Sequence, residues 1–402
     1  MSLGFSDRLL AGGAGDFMTV RHLSLEGTQF EIGARLAEFA RDELGVRKVP
    51  WTNPLMTRAQ RSFVEKNWPA HFARMRGAAA AFQHDLDDDA LDFSFLSYDS
   101  GIPGCSCVYY PGRRTADGHS ILSRNFDYTL GGPGDLPWAD GAFKSETGKF
   151  GDAENRPYVG RPFLLETHPD TGYAVLGMCA FDLLGMLTDG INSEGLAVAL
   201  LNDGETINSP LCEPFGSNGV GISEGCVPRF LLETCADADD ALLALLTTKQ
   251  YYASGPCHYL IGDRHGRGFV WEYSSIRNRH HVIECGEKPL AVTNHLLYPH
   301  QIPDEEERAD SLRRLRELNA RLDDSNEQFN RQRIGEINRC VEATQPIGQG
   351  QYVSATHPTR TLWQAQYDLD ARAVDIDFFL GEDERGIRRS PTLSLQLGNA
   401  RP

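Results

Sequence analysis

The chain has 402 residues, enough for two ordinary domains or one large layered one, and its 41% hydrophobic and 24% charged content is that of a soluble globular protein with a full core. A formal net charge of −17 argues against nucleic-acid and anionic-membrane partners, because both need a basic surface. Nine cysteines, an odd number with no CxxC pair, indicate neither a zinc knuckle nor a thioredoxin-like site.

The first sixteen residues lack a cationic region followed by a long apolar run, so no signal peptide is expected. No run of about eighteen apolar residues is present to span a bilayer. A reducing cytoplasm with mostly free thiols is the expected location. Residues 1–16 are Gly-rich and are expected to fray, whereas 18–25 alternates as a strand should. Thr28, with Glu31 three residues on, predicts a capping box that opens a helix with Ile32, Leu36, Phe39 and Ala40 on one face. A further helical region is predicted over 58–84, closed by the acidic run at 85–89. That run lacks the glycine and the spacing of an EF-hand loop and reads as a solvated cap.

The next stretch carries most of the chemistry. Gly104-Cys105-Ser106-Cys107-Val108-Tyr109-Tyr110 reads as a strand, 111–118 as a turn with two Gly, one Pro and one Asp, and 119–128 as a returning strand. A glycine-rich segment begins at 131. Antiparallel pairing brings Arg124 and Asp127 back towards Cys105. A thiol, a guanidinium and a carboxylate meeting at a strand end can form a catalytic cluster; the plainer reading is a hairpin thiol beside a surface ion pair.

Beyond the hairpin the pattern turns to β. Strands are predicted at 162–167, 173–181 and 183–188, with a turn at 189–195. The uncharged run 196–201, ending at Asn202, reads as a strand buried on both faces. Pro228 opens a helix over 227–235, and Asp237 caps another that runs to 246. Strands at 258–263, 268–273, 280–285 and 290–294 follow, the last ending in Asn294. A charged helix over 304–322 has Leu312, Leu315 and Leu318 as its apolar stripe, and a second covers 330–343. Strands at 361–369 and 373–380 end the chain. Such blocks, without βαβ alternation, predict an α+β layered protein with antiparallel sheets.

Three motifs compete for the chemistry. Gly221-Ile222-Ser223-Glu224-Gly225 is a formal G-x-S-x-G, but a nucleophile elbow needs a central strand before it. Residues 210–219 hold two Pro and two Gly, which a central strand does not tolerate, so a serine esterase using Ser223 is a minor alternative. His280, His281, His295, His300 and His357 show no HExxH or similar helical spacing, so no metal is expected. That leaves the hairpin cysteine with Asn202 and Asn294 at two strand ends. Their amides are natural oxyanion donors if they converge on a nucleophile, and turn residues otherwise.

Taken in order, these stretches resemble the penicillin acyltransferase-type amidohydrolases, relatives of choloylglycine hydrolases and acid ceramidases within the N-terminal nucleophile superfamily. The matching segments are Leu25-Glu26-Gly27-Thr28-Gln29-Phe30-Glu31-Ile32-Gly33, the junction Gly104-Cys105-Ser106, and Ser123-Arg124-Asn125-Phe126-Asp127. Gly190-Ile191-Asn192-Ser193-Glu194-Gly195-Leu196 through Asn202, Val292-Thr293-Asn294-His295, and the strand from Thr361-Leu362-Trp363 to Asp368 complete the set.

The resemblance implies a four-layer αββα sandwich, two antiparallel sheets between helical layers. It also implies a mainly helical leader, 1–104, that becomes a small subunit after cleavage, and a catalytic domain, 105–402, the two forming one compact unit. The precursor is expected to cut itself between Gly104 and Cys105, and the freed α-amine to act as base for the thiol. Carried over by position, Cys105 is the nucleophile, Arg124 and Asp127 orient the amine and bind the substrate's polar end, and Asn202 and Asn294 position the substrate and hold the oxyanion. Arg360 is the candidate for an arginine near the final strands. Cys107, two residues on and on the same strand face, is the alternative nucleophile; Gly104 before Cys105 and the hydroxyl residue after it favour Cys105. The nineteen positions from Cys105 to Arg124 exceed the usual spacing, and the extra residues fit the turn at 111–118.

The implied reaction is cleavage of a small-molecule N-acyl amide through an acyl-thioester, with water or an amine as acceptor and no cofactor. The pocket walls are expected in 129–160 and 204–226. The alternative is a non-catalytic binding protein on the same fold that stays uncut. Homo-oligomerisation is left open.

Overall fold

The computed structural model describes residues 3–48, 53–98, 104–131, 158–203, 219–252, 255–274, 279–298, 309–324, 327–346 and 357–398. Cys212, His300, the start of the helix expected from 304, the glycine-rich segment from 132, and most of the two expected pocket loops lie outside them.

Before the hairpin come β1 (Gly4–Ala11), β2 (Val20–Gly27), α1 (Gln29–Glu43), α2 (Pro54–Asn67) and α3 (Pro69–Ala81). The capping box forms as predicted. Thr28 Oγ1 accepts from the Glu31 amide at 3.2 Å, and Glu31 Oε2 accepts from the Thr28 amide at 2.9 Å. Two expectations fail here. The segment expected to fray contains β1, which pairs antiparallel with β2 and so satisfies its backbone along one side. The helical region expected over 58–84 is two helices and starts earlier, at Pro54; Pro69 lacks the amide to continue the ladder and forces Trp68 out of helical geometry, at φ −144°.

The hairpin is β3 (Gly104–Tyr110) and β4 (Ile121–Thr129). Then follow β5 (Phe163–Pro169), β6 (Val175–Cys179), β7 (Asp189–Asn192), β8 (Leu196–Asn202), β9 (Ile222–Ser223), α4 (Val227–Thr234), α5 (Ala238–Thr247) and β10 (Gln250–Tyr251). The strand expected at 183–188 does not form. The buried Asp182 carboxylate collects the amides of Leu184, Gly185 and Met186, which are then lost to any ladder. The turn expected from 189 starts only at Ser193, since Asp189–Asn192 is β7.

The remainder is β11 (Cys257–Asp263), β12 (Gly268–Ser274), β13 (Arg279–Glu284), β14 (Leu290–Val292), α6 (Ala309–Leu322), α7 (Arg331–Cys340), β15 (Thr359–Asp368) and β16 (Ala373–Asp383). Two short strands the sequence reading did not contain, β17 (Gly386–Arg389) and β18 (Leu393–Gln396), follow.

One sheet has nine strands in the order β1-β2-β5-β6-β7-β8-β11-β12-β13; the other has seven, β14-β3-β4-β15-β16-β17 with β18 on β16. Neighbours in the two sheets run antiparallel except β2 and β5, which pair in parallel from Arg21–Phe163 to Gly27–Pro169. Strand alternation shows how the layers stack. On β8, Leu196, Val198 and Leu200 join Leu36 of α1 and Leu231 of α4, while Ala197, Ala199 and Leu201 face the core between the sheets. On β3, Cys105, Cys107 and Tyr109 enter that same inner core. Val108 and Tyr110 point the other way, against Leu318 and Leu322 of α6 and Ile334 and Ile337 of α7. The result is αββα, the layering the resemblance implies. The part before the hairpin is tied in by a buried ion pair as well as by β2: Arg74 Nη2 on α3 lies 2.8 Å from Glu233 Oε2 on α4. No helix among the described residues is long and apolar enough to cross a membrane.

Tyr109 sets how closely β3 approaches the nine-stranded sheet. Its hydroxyl donates to Asp263 O at 2.9 Å, and its ring occupies the space left by two glycines. A Cβ at Gly262 or Gly268 would come within 2.4 Å of that ring. Gly262→Ala is therefore expected to cost about 1–3 kcal/mol through overpacking. The check is a lower urea midpoint at unchanged m-value.

Candidate active site

The β3–β4 register pairs Gly104 with Asp127, Cys105 with Phe126 and Cys107 with Arg124. Paired residues share a face, and faces alternate, so the site is split across the two sides of one strand. Cys105, Cys107 and Arg124 point between the sheets. Gly104, Ser106 and Asp127 lie on the side of α6.

On the inner side, Arg124 Nη2 donates to Cys105 Sγ at 3.2 Å, and the thiol lies 3.8 Å from its acceptor Leu200 O. Arg124 Nη1 donates to Leu200 O at 2.6 Å and reaches Cys107 Sγ at 3.9 Å. Its Nε is 3.1 Å from Asp189 Oδ1 of β7, and both side chains are wholly buried. Burial pushes the Cys105 thiol up to about 11, against the pull of the Arg124 cation. Cys107 is pushed up further by burial, with Arg124 again opposing.

On the outer side, the Cys105 nitrogen donates to Asn294 Oδ1 at 2.7 Å. Asn294 Nδ2 donates in turn to Asn202 O at 2.8 Å, and Asn202 Nδ2 to Pro256 O at 2.9 Å. The structure thus brings Asn202 to the site through its backbone carbonyl. Behind Asn294, His258 Nε2 bonds Thr293 O at 2.7 Å and Thr293 Oγ1 donates to Ser311 O at 3.0 Å, fixing the residue before it.

Arg314 of α6, which sequence reasoning missed, completes this side. Its Nη1 donates to Cys105 O and, at 2.8 Å, to Ser106 Oγ; its Nη2 donates to Asn294 Oδ1 at 2.9 Å; Asp310 Oδ2 accepts from its Nε at 2.8 Å. The signal was its phase. Ser311 and Arg314 fall on the same helix face as Leu318 and Leu322, the face that is buried. Asp189 was missed because an Asp-Gly pair reads as a turn.

Arg360, the arginine the resemblance suggested, is not brought to the cluster. It pairs with Glu382 at 2.8 Å and donates to Gln345 O at 2.8 Å. Ser223 is buried on a two-residue strand, β9, that among the described residues pairs with β10, itself of two residues, and not with either large sheet. Two of the histidines weighed as ligands are engaged separately: His295 Nδ1 bonds Ser311 Oγ at 2.7 Å, and His281 stacks on Tyr298.

Four layers thus enclose a cysteine near the start of β3 whose nitrogen and sulfur both have buried partners. Residues 148–380, more than half of the chain, match the family model of acyl-coenzyme A:6-aminopenicillanic acid acyl-transferase. The chain belongs to that family. The matched residues include Asp189, Asn202, Asn294 and Arg314 but not the hairpin. Among solved structures, two variants of conjugated bile acid hydrolase from Clostridium perfringens align at 12% and 13% identity, each with a TM-score of 0.43. They cover 73% and 74% of this chain and 98% and 97% of their own. Penicillin V acylase from Agrobacterium tumefaciens aligns at 14% identity and a TM-score of 0.39, over 71% of this chain and 84% of its own. No curated protein sequence matches significantly.

Asp127 gives the site a pH signature. Its buried carboxyl is raised to about 6 by desolvation, against the pull of Arg314 and a 2.5 Å hydrogen bond from Thr361 Oγ1. A raised carboxyl favours the folded state below about pH 4, and that contribution is lost as pH rises through about 6. Asp127→Asn should therefore gain stability relative to the parent chain between pH 4 and 7, by up to about 3 kcal/mol. Urea unfolding of both proteins across that range gives the difference.

Proposed function

We propose that the chain cuts itself between Gly104 and Cys105 and then uses Cys105 to cleave a linear N-acyl amide through an acyl-thioester. The observation that supports this best is that the nitrogen and sulfur of one residue have separate, buried holders: Asn294 on the nitrogen and Arg124 on the sulfur.

In the cut, Cys105 Sγ attacks the Gly104 carbonyl carbon, and the C–N bond to Cys105 breaks. The nitrogen leaves as an amine, taking the thiol's proton, and Gly104 is left as a thioester. Water then hydrolyses the thioester, giving a Gly104 carboxylate and a free thiol. Asp127 packs beside Gly104, where an added Cβ would lie 3.1 Å from its own Cβ. Its carboxyl, near 6, is suited to relay a proton there near neutral pH.

In turnover the new α-amine takes the thiol proton as sulfur attacks the substrate carbonyl. The substrate amine leaves with that proton, and water or a second amine releases the acyl group. An α-amine has a pKa of roughly 7.7–8.0. Against a thiol at about 11, full transfer before attack would cost about 4 kcal/mol. Proton transfer is therefore expected to accompany attack, with Arg124 stabilising the charge that develops on sulfur. Asn294 Oδ1, accepting from the amine, leaves its lone pair for the thiol proton. Cys107 is the weaker candidate: its sulfur is farther from Arg124, and its nitrogen lies inside the strand's pairing with β14.

Intact mass and an assay on N-acyl amides and lactams test the reading. The parent chain is expected to yield a fragment beginning at Cys105 and to turn over at least one amide. Cys105→Ala should remain one piece and lose turnover by about a thousandfold or more, whereas Cys107→Ala should keep both activities. A Cys105→Ala chain that still yields a fragment starting at residue 105 sinks the assignment.

A further inference from the structure

Arg124 has a buried counter-charge behind it as well as the thiol in front. Asp189 enters the inter-sheet space from β7, opposite Met178 and Ala199, and is wholly buried. Its Oδ1 accepts from Thr188 Oγ1 at 2.8 Å and pairs with Arg124 Nε at 3.1 Å. Its Oδ2 accepts from the Tyr367 hydroxyl at 2.7 Å. Tyr367 lies on β15 of the opposite sheet, so the row Tyr367, Asp189, Arg124, Cys105 crosses the gap between the sheets and returns.

We infer that Asp189, fixed by Tyr367, is a positioning residue that aims Arg124 at the Cys105 sulfur and, as its counter-charge, keeps that sulfur a thiol until a base takes the proton. The inference rests on the reading of Cys105 as nucleophile.

A lone guanidinium 3.2 Å from a sulfur in a dry core would draw off the proton and trap a thiolate–guanidinium pair. With a carboxylate 3.1 Å from the same guanidinium, the sulfur faces a compensated pair, whose field falls off much faster with distance. The charged and titratable groups around the sulfur are Arg124 and Asp127 on β4, Asp189 on β7, Arg314 on α6, and the thiols Cys107 on β3 and Cys257 on β11. Asp310 meets the charge of Arg314 on the far side, so Asp189 is the carboxylate paired with the guanidinium that touches the sulfur. A thiolate held by an uncompensated cation has a lowered pKa, and its intrinsic nucleophilicity falls with it while it stays open to oxidation; a thiol that gives its proton to the adjacent amine during attack becomes a more basic, more reactive sulfur only at that moment.

The test is a titration of Cys105 by its far-ultraviolet thiolate absorbance, taken as the difference from the matching Cys105→Ser chain. Asp189→Asn keeps a side chain of the same shape beside Arg124 Nε but removes the charge. Its thiolate midpoint should fall by about one pH unit, roughly tenfold more thiolate at a given pH below it. Arg124→Gln should raise the midpoint, and adding Asp189→Asn to Arg124→Gln should bring it down again. A residue with only a structural role would change the melting temperature and leave the midpoint alone. Equal midpoints for the parent and a folded Asp189→Asn overturn the inference. Should the single variant not fold, equal midpoints for Arg124→Gln and the charge-neutral double variant overturn it instead. Because the titration needs no turnover, an inactive parent chain defeats the proposed reaction without touching this result.

Discussion

A fully buried arginine between two β-sheets is the constraint on which the rest of this structure turns. Arg124 is wholly inaccessible, and in that space an unpaired guanidinium would cost several kcal/mol. Its needs fix its surroundings. Asp189 supplies a counter-charge from the facing sheet, Leu200 offers its carbonyl to Nη1, and the polarisable Cys105 sulfur accepts from Nη2. A slip of one residue between β3 and β4 would turn either Arg124 towards α7 or the thiol out of the core, parting the two, so the ion pair also enforces the strand register.

The second arginine does for the backbone what the first does for the side chain. Arg314 reaches the carbonyl oxygen of Cys105 and the amide oxygen that accepts from its nitrogen. Its own charge is met by Asp310 one helical turn earlier. One residue is thus gripped on opposite faces of its strand by two arginines from different layers. Neither grip depends on an exposed loop, since one arginine sits on β4 and the other on α6, both rigid elements.

Much of the fold was legible because alternation and capping are local signals. The hairpin, the buried run of β8 and the Thr28–Glu31 box are each written in a few consecutive residues. The misses share a cause. Asp189, Arg314 and Asp182 look solvated in sequence because charge normally is, and only partners far along the chain make them interior. Arg124 could be found because it lies on the strand that pairs with Cys105. Arg360 and Arg314 are both plausible arginines by type, and nothing local says that one pairs with Glu382 at the sheet's rim while the other is enclosed. Proline at position 69 was readable and would have divided the helix correctly.

The parallel pairing of β2 with β5 places a strand from before the junction inside the nine-stranded sheet, with β1 beyond it. If the backbone is opened after Gly104, the smaller piece still contributes two strands, three helices and one partner of the buried Arg74–Glu233 bridge. It has no route out short of unravelling the sheet. Denaturation would then be a one-way door. The uncut polypeptide refolds as a single molecule at a rate independent of its concentration, whereas the separated pieces must first collide, and dilution alone would keep them apart.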